Sequence, residues 1–144
     1  MATKGEKTRE FILDKSYALF AQKGFKSVTM KDICEATDMS RGGLYSHFAS
    51  TKEIFEAILI RMTGNAADTL YSEMEKGVSA VMILKKTLRN MEEEMKHPEE
   101  SLSIALYEYA ETVNTDVMER LNHNAEEKWK KLIRYGIERG SFGM

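Results

Sequence analysis

At 144 residues and 42% hydrophobic, the chain can bury one sizeable core, or a small domain leaning on a larger one. Its 21 basic and 23 acidic residues nearly cancel and do not by themselves suggest nucleic acid, and its single cysteine, Cys34, excludes an internal disulfide and a cysteine-based zinc site. No apolar signal core follows Met1 and no stretch approaches the length of a membrane span, so a soluble protein of the reducing cytoplasm is expected.

The first predicted helix runs from Thr8 to Lys23, with Ile12, Ser16, Leu19 and Phe20 on one side and Leu13 and Tyr17 adjoining. Gly24 then supplies a left-handed C-cap, after which Phe25 can fold back on the last turn. Ahead of this helix, Lys4, Lys7 and Arg9 could reach a phosphate backbone, but most of that arm is expected to be a disordered, solvated terminus.

From Val28 to Glu53 the pattern is two short helices joined by a tight turn, with a third helix starting just after. Thr29 with Asp32 is an N-cap with an acidic partner three residues on, and Ile33 and Ala36 follow on the inner face. A polar break at Thr37-Asp38 leads to Ser40, the next N-cap, and a helix from Arg41 to His47, which is helix-turn-helix spacing. Leu44 and Phe48, four apart, can plug a core while Arg41, Gly42, Gly43, Tyr45, Ser46 and His47 face outward. Two adjacent glycines cost about 1 kcal/mol each relative to alanine, so a helix that keeps them is expected to need close approach to something. Arginine can grip guanine edges, and tyrosine, serine and histidine can reach phosphate oxygens, which suits the DNA major groove. The alternative at this point is a solvated surface helix with an incidental Gly-Gly.

Ser50-Thr51-Lys52-Glu53 reads as a complete capping box, opening a helix through Ile54, Phe55, Ile58, Leu59 and Met62 that can extend to about Lys76. Lys52 in its first turn opposes the helix dipole unless an anion, such as a DNA phosphate, sits there. Ser79 caps a helix whose Val81, Leu84, Leu88, Met91 and Met95 form one apolar stripe, ending at His97-Pro98. Glu99 and Glu100 open another, with Leu102, Ala105, Leu106, Tyr109 and Val113, to about Asn114. Thr115 caps the last, from Val117 to Ile137, which Gly140 ends. The sign of the charge fits this order: ten basic against eight acidic residues through Gly64, eleven against fifteen beyond.

Residues Thr8 to Leu59 resemble the N-terminal DNA-binding domain of the tetracycline-repressor (TetR) family. The resemblance rests on Thr8-Arg9-Glu10, Ile12, Leu13 and Leu19 to Phe25, then Thr29 with Asp32-Ile33, then Ser40 to Phe48, and Lys52-Glu53; Ala49-Ser50-Thr51 is a residue longer than the family's commonest link. It implies an all-α fold: a three-helix helix-turn-helix domain over residues 1–50 and a helical ligand-binding and dimerisation domain over 51–144, its connecting helix starting at about 51. Carried over by position, Arg41, Gly43, Tyr45 and Ser46 face the groove beside Gly42, and Thr29, Tyr45, His47 and Lys52 contact phosphates, with Lys31 a lesser candidate. The implied partners are double-stranded operator DNA, a second copy of the chain and a small-molecule effector, with no cofactor and no metal. Candidate effector-pocket residues are Met82, Met91, Met95, Tyr107, Tyr109, Met118 and Trp129, with Met74 also apolar and Asn114, His123 and Asn124 as polar anchors.

Family members usually continue past an Arg-Gly-x-Phe stretch, here Arg139-Gly140-Ser141-Phe142, into two further helices that pair across a dimer, and this chain stops at Met144. Either dimerisation is achieved otherwise or the chain is a shortened form, so a heterodimer partner without operator binding of its own stands as the alternative to an operator-binding repressor. Catalysis is not expected. Ser46 and His47 are helix neighbours that do not face each other, and neither His97 nor His123 belongs to a nucleophile elbow, phosphate loop or metal-ligand spacing.

Overall fold

The computed structural model describes residues 1–112 and 116–142, among which every regular element is helical. In chain order they are α1 (Lys4–Lys23), α2 (Met30–Thr37), α3 (Arg41–Tyr45), α4 (Thr51–Glu75), α5 (Ala80–Lys96), a 3-10 turn at Pro98–Glu100, α6 (Ser103–Thr112) and α7 (Asp116–Glu138). They form two compact units: Met1–Leu59 with His97–Asn114, and Ile60–Lys96 with Thr115–Met144. Against the expected division at residue 50, the first unit runs on through the start of α4 and takes in the 3-10 turn and α6.

The reason lies in an aromatic cluster. Phe20 of α1, Phe25 of the following turn, Phe55 of α4 and Tyr109 of α6 pack with ring centroids 4.9–5.3 Å apart in their edge and tilted contacts. Rings in such arrangements gain beyond their area burial, and a helix supplying one of them is held in the same core. Two polar contacts fasten the same region: Tyr17 donates to the Glu100 carbonyl at 3.1 Å, and the Phe25 N–H donates to the Glu108 carboxylate at 2.9 Å. Gly24 has φ 80° but ψ −173°, not the left-handed conformation expected of a C-cap. A Cβ there would strike the Glu108 carboxylate, so both the backbone and the close approach of α6 require glycine.

Helix α1 starts at Lys4, ahead of the expected Thr8. Thr3 and Glu6 form a reciprocal capping box, which converts the expected disordered arm carrying Lys4, Lys7 and Arg9 into the first turns of the helix. Ile12, Leu13, Ser16 and Phe20 are buried, while Leu19 is half-buried. After Pro98 the chain makes a 3-10 turn instead of opening a helix at Glu99, and α6 begins at Ser103, behind a Ser101 hydroxyl that accepts from the Ser103 N–H at 3.3 Å.

The second unit has a smaller core, Leu70 of α4, Ala80 and Ile83 of α5 and Leu132 of α7, flanked by Tyr71, Met74, Val78, Trp129, Tyr135 and Phe142. The Tyr135 hydroxyl donates to the Val78 carbonyl at 2.6 Å, and the Ser141 and Phe142 N–H groups turn back onto the Gly136 carbonyl. Ser79 caps α5 as expected, accepting from the Met82 N–H at 3.2 Å. The expected apolar stripe is not the buried face, however. Val81, Leu88, Met91 and Met95 are exposed, Met95 at 81%, because the core partners on α4 and α7 cover only the side bearing Ala80 and Ile83.

Candidate nucleic-acid interface

Helix α2 opens on the expected box: Thr29 accepts from the Asp32 N–H at 3.1 Å, and the Asp32 carboxylate accepts from the Thr29 N–H at 2.9 Å. These bonds from Thr29, backbone first, with Lys23 at 3.7 Å, hold the Asp32 carboxyl below its ordinary pKa. Ile33 is fully buried and Thr37 nearly so, its hydroxyl donating to the Ile33 carbonyl at 2.7 Å. Asp38 ends α2 with φ 55°, a left-handed conformation that aspartate tolerates, and this turns the chain towards the next cap.

Ser40 is that cap, accepting from the Gly43 N–H at 3.0 Å. Helix α3 is five residues long, two shorter than expected, because the N–H groups of His47 and Phe48 both converge on the Leu44 carbonyl. That tight exit drives Phe48 into the core, 4% exposed, below a fully buried Leu44. Glu53 caps α4 in the expected manner with one difference: its carboxylate accepts from Ala49 N–H, at 2.7 Å, while Ser50 accepts from the Glu53 N–H.

The two glycines divide the work of α3. A Cβ on Gly43 would lie 3.1 Å from the capping Ser40 oxygen, whereas one on Gly42 would meet nothing within 4 Å. Gly42 thus leaves bare backbone on an open surface, where another molecule can approach closely. Beside it the Arg41 guanidinium lies 5.5 Å from the Tyr45 ring centroid, a cation–π contact that holds both side chains on the outer face. Arg41 and Tyr45 meet Lys31 of α2, with Met30 and Cys34, around a cleft of about 310 Å³. Lys31, Arg41 and Tyr45 are therefore brought together, with Gly42 alongside. Met30 and Cys34 were not singled out from sequence, although their i, i+4 spacing on α2 was the available signal.

The remaining candidates stand apart from that cleft. Thr29 is exposed, its oxygen occupied as a cap and its hydroxyl proton still available to an acceptor. Ser46 donates its hydroxyl to the Gly43 carbonyl at 2.6 Å, which leaves it an acceptor, and His47 is half-buried. Lys52 pairs with Glu56 one turn on, at 3.7 Å, so its charge against the helix dipole is answered within α4 and does not call for an outside anion. Arg9, on the first helix, stacks over the Phe48 ring at 5.0 Å and braces the link after α3.

The candidate effector residues do not converge. Tyr109 belongs to the aromatic core of the first unit and Tyr107 is exposed on the same helix. In the second unit Met82 and Met95 are exposed, His123 is exposed and Met118 half-buried. Met91 and Trp129 line a cavity of about 480 Å³ bounded by α4, α5 and α7, and Asn124 lines another of about 620 Å³ between α4 and α7. Asn114 lies outside the described residues.

A capped helix, a turn and a short second helix that presents arginine, tyrosine and bare glycine backbone have the geometry of a helix-turn-helix unit. The family model described as bacterial regulatory proteins, tetR family, matches residues 12–58. The chain is 28% identical over 145 residues to the uncharacterized HTH-type transcriptional regulator YfiR of Bacillus subtilis, covering 95% of this chain and 69% of that one. It is 24% identical over 137 residues to the HTH-type transcriptional repressor KstR2 of Rhodococcus jostii, covering 93% and 67%. Among solved structures, Salmonella enterica GusR superposes with a TM-score of 0.70 at 26% identity, over 99% of this chain and 74% of that one. Residues 12–58 are thus a helix-turn-helix domain of the TetR type, and over most of its length the chain is similar to TetR-family transcriptional regulators. Among the described residues, no helix is long and apolar enough to cross a membrane.

Proposed function

We propose that the chain is a one-component repressor that binds a roughly palindromic operator as a dimer, with the α3 of each copy in successive major grooves, and is released by a small-molecule effector bound in the second unit. The observation that carries the DNA half of this reading is the joint presentation of Lys31, Arg41 and Tyr45 beside the uncovered backbone of Gly42. Arg41 supplies the fork that reads base edges, and Lys31, Tyr45 and Thr29 hold phosphates. Repression is supported by the name of the relative KstR2. Because α4 is one unbroken helix from Thr51 to Glu75, running from the head into the second unit, it is the element that would carry an effector's influence to the heads. Linkage then requires operator DNA to weaken effector binding by the same factor.

The exposed apolar row on α5, Leu88, Met91 and Met95, favours a second reading, a heterodimer partner that binds another protein instead of an operator. The mass of the purified chain in solution, read with its binding to a mixed DNA pool at two salt concentrations, separates them. A dimer that enriches a palindrome supports the repressor. A monomer with weak, salt-sensitive and sequence-blind binding supports the interaction module.

A further inference from the structure

The cavity of about 620 Å³ between α4 and α7 exists because both helices carry small side chains where they face each other: Gly64, Ala66 and Ala67 on α4, Ala125 on α7. Such residues leave interhelical space that leucine or isoleucine would fill. The wall is apolar for much of its extent, through Ile60, Val117 and Leu121; Thr63 and Tyr71 of α4 add hydroxyls, and every charged lining residue is on α7.

Those positions are strongly one-signed. Arg120, Lys128 and Lys131 all line the cavity, and among the described residues none of the three forms an ion pair. The Lys131 ammonium is held 4.5 Å from the Tyr71 ring centroid, against the cavity wall. The one acidic lining residue, Glu127, already shares Lys130 with Glu126, at 3.7 and 2.8 Å. Three cations that form no ion pair, two of them exposed and Lys128 lying 5.8 Å from the Trp129 ring centroid, give the edge of this partly apolar space a positive potential that favours an anion.

We propose that this cavity binds an amphipathic carboxylate, with its head group among Arg120, Lys128 and Lys131 and its apolar body between α4 and α7. This names the effector class of the release mechanism above, and it rests on that reading only for its consequence at DNA. A flexible acyl carboxylate and a fused-ring carboxylate share the chemistry.

The test is calorimetric titration of the full chain with dodecanoate, dodecanol and dodecylammonium below their aggregation concentrations, and with 2-naphthoate. At least one carboxylate should bind about tenfold or more tightly than the neutral and cationic chains; which one binds better tells acyl from ring. Arg120→Gln with Lys128→Gln should abolish the preference with an unchanged circular dichroism spectrum, and Ala125→Leu should weaken every probe by filling the space. Equal affinity for the three twelve-carbon probes, no binding of any carboxylate to folded chain, or a preference that survives the double substitution would overturn the site. A saturating carboxylate that left DNA affinity unchanged would instead overturn the release mechanism and leave the site standing.

Discussion

In the head unit, four aromatic rings drawn from α1, its following turn, α4 and α6 close on one another, and Ile12, Leu13, Ile33, Leu44 and Ile58 around them are sealed from solvent. In the second unit, Leu70, Ala80, Ile83 and Leu132 make a core without a fully buried large aromatic, and Met62, Met82, Leu88, Met91, Met95, Ile133 and Ile137 stay exposed. Side-chain caps occur in both units, at Thr3, Thr29, Ser40 and Ser50 in one and at Ser79 in the other, so the presence of local helix signals does not by itself account for the difference. What differs is how many sides of each helix find a partner. The head carries its exposed α3 face on a sealed core, and the second unit keeps open space that a ligand or another protein can use.

The largest expected effect tests that contrast directly. Phe20→Ala should cost about 3–5 kcal/mol and abolish DNA binding by melting the head, whereas Leu132→Ala, in a core open to cavities, should stay near about 2 kcal/mol. Urea unfolding followed by circular dichroism measures both, and equal losses would remove the distinction. Gly24→Ala should follow at about 1–3 kcal/mol, since it combines a positive φ with a clash against the Glu108 carboxylate. A neutral outcome would mean that α6 does not pack as closely on the head as described.

On the reading surface itself, Arg41→Ala should lose about 1–3 kcal/mol of specific DNA binding and relax one base position, with thermal stability unchanged. Lys31→Ala should weaken all DNA alike and lower the salt slope by about one. Fluorescence anisotropy with matched and mutated sites distinguishes them; a change of sequence preference on losing Lys31 would refute its phosphate role.

Smaller effects sharpen the picture within the head. Because the folded-state pKa of Asp32 is depressed, its contribution to stability is present above the unfolded carboxylate range, about pH 4, and disappears as pH falls through the folded value. Asp32→Asn should therefore lower the melting temperature at neutral pH, change it least at the acid end, and so flatten the acid limb of the profile. Smallest of all, the buried Ser16 hydroxyl has no hydrogen-bond partner, so Ser16→Ala should be neutral or stabilise by up to about 1 kcal/mol.

The reading head was legible in the sequence because its signals are local. Thr29 with Asp32, Ser40 before Arg41-Gly42-Gly43, and Leu44 with Phe48 each act across three or four residues, and a chain segment carries that information by itself. The same logic placed α4 and the start of α5. Two further outcomes rest on equally local contacts: Thr3 with Glu6 extends α1, and Glu56 answers Lys52.

Other features had no local trace. Glu108 bonds Phe25 across 83 residues of sequence, and nothing near either one announces the other; that pairing, with Tyr109 against Phe55, is what joins α6 to the head. The stripe on α5 shows the same limit in reverse. Helical periodicity identifies which residues share a face, but burial depends on what lies opposite, and here α4 and α7 meet Ala80 and Ile83 in place of Leu88 and Met91. Likewise Arg120, Lys128 and Lys131 are ordinary charged residues of an amphipathic helix until the small residues of α4 lie across from them and leave the cavity. Short-range hydrogen bonding and helical spacing wrote the DNA-reading motif into the chain, whereas core membership and cavities arise between segments far apart in sequence and exist only once those segments pack.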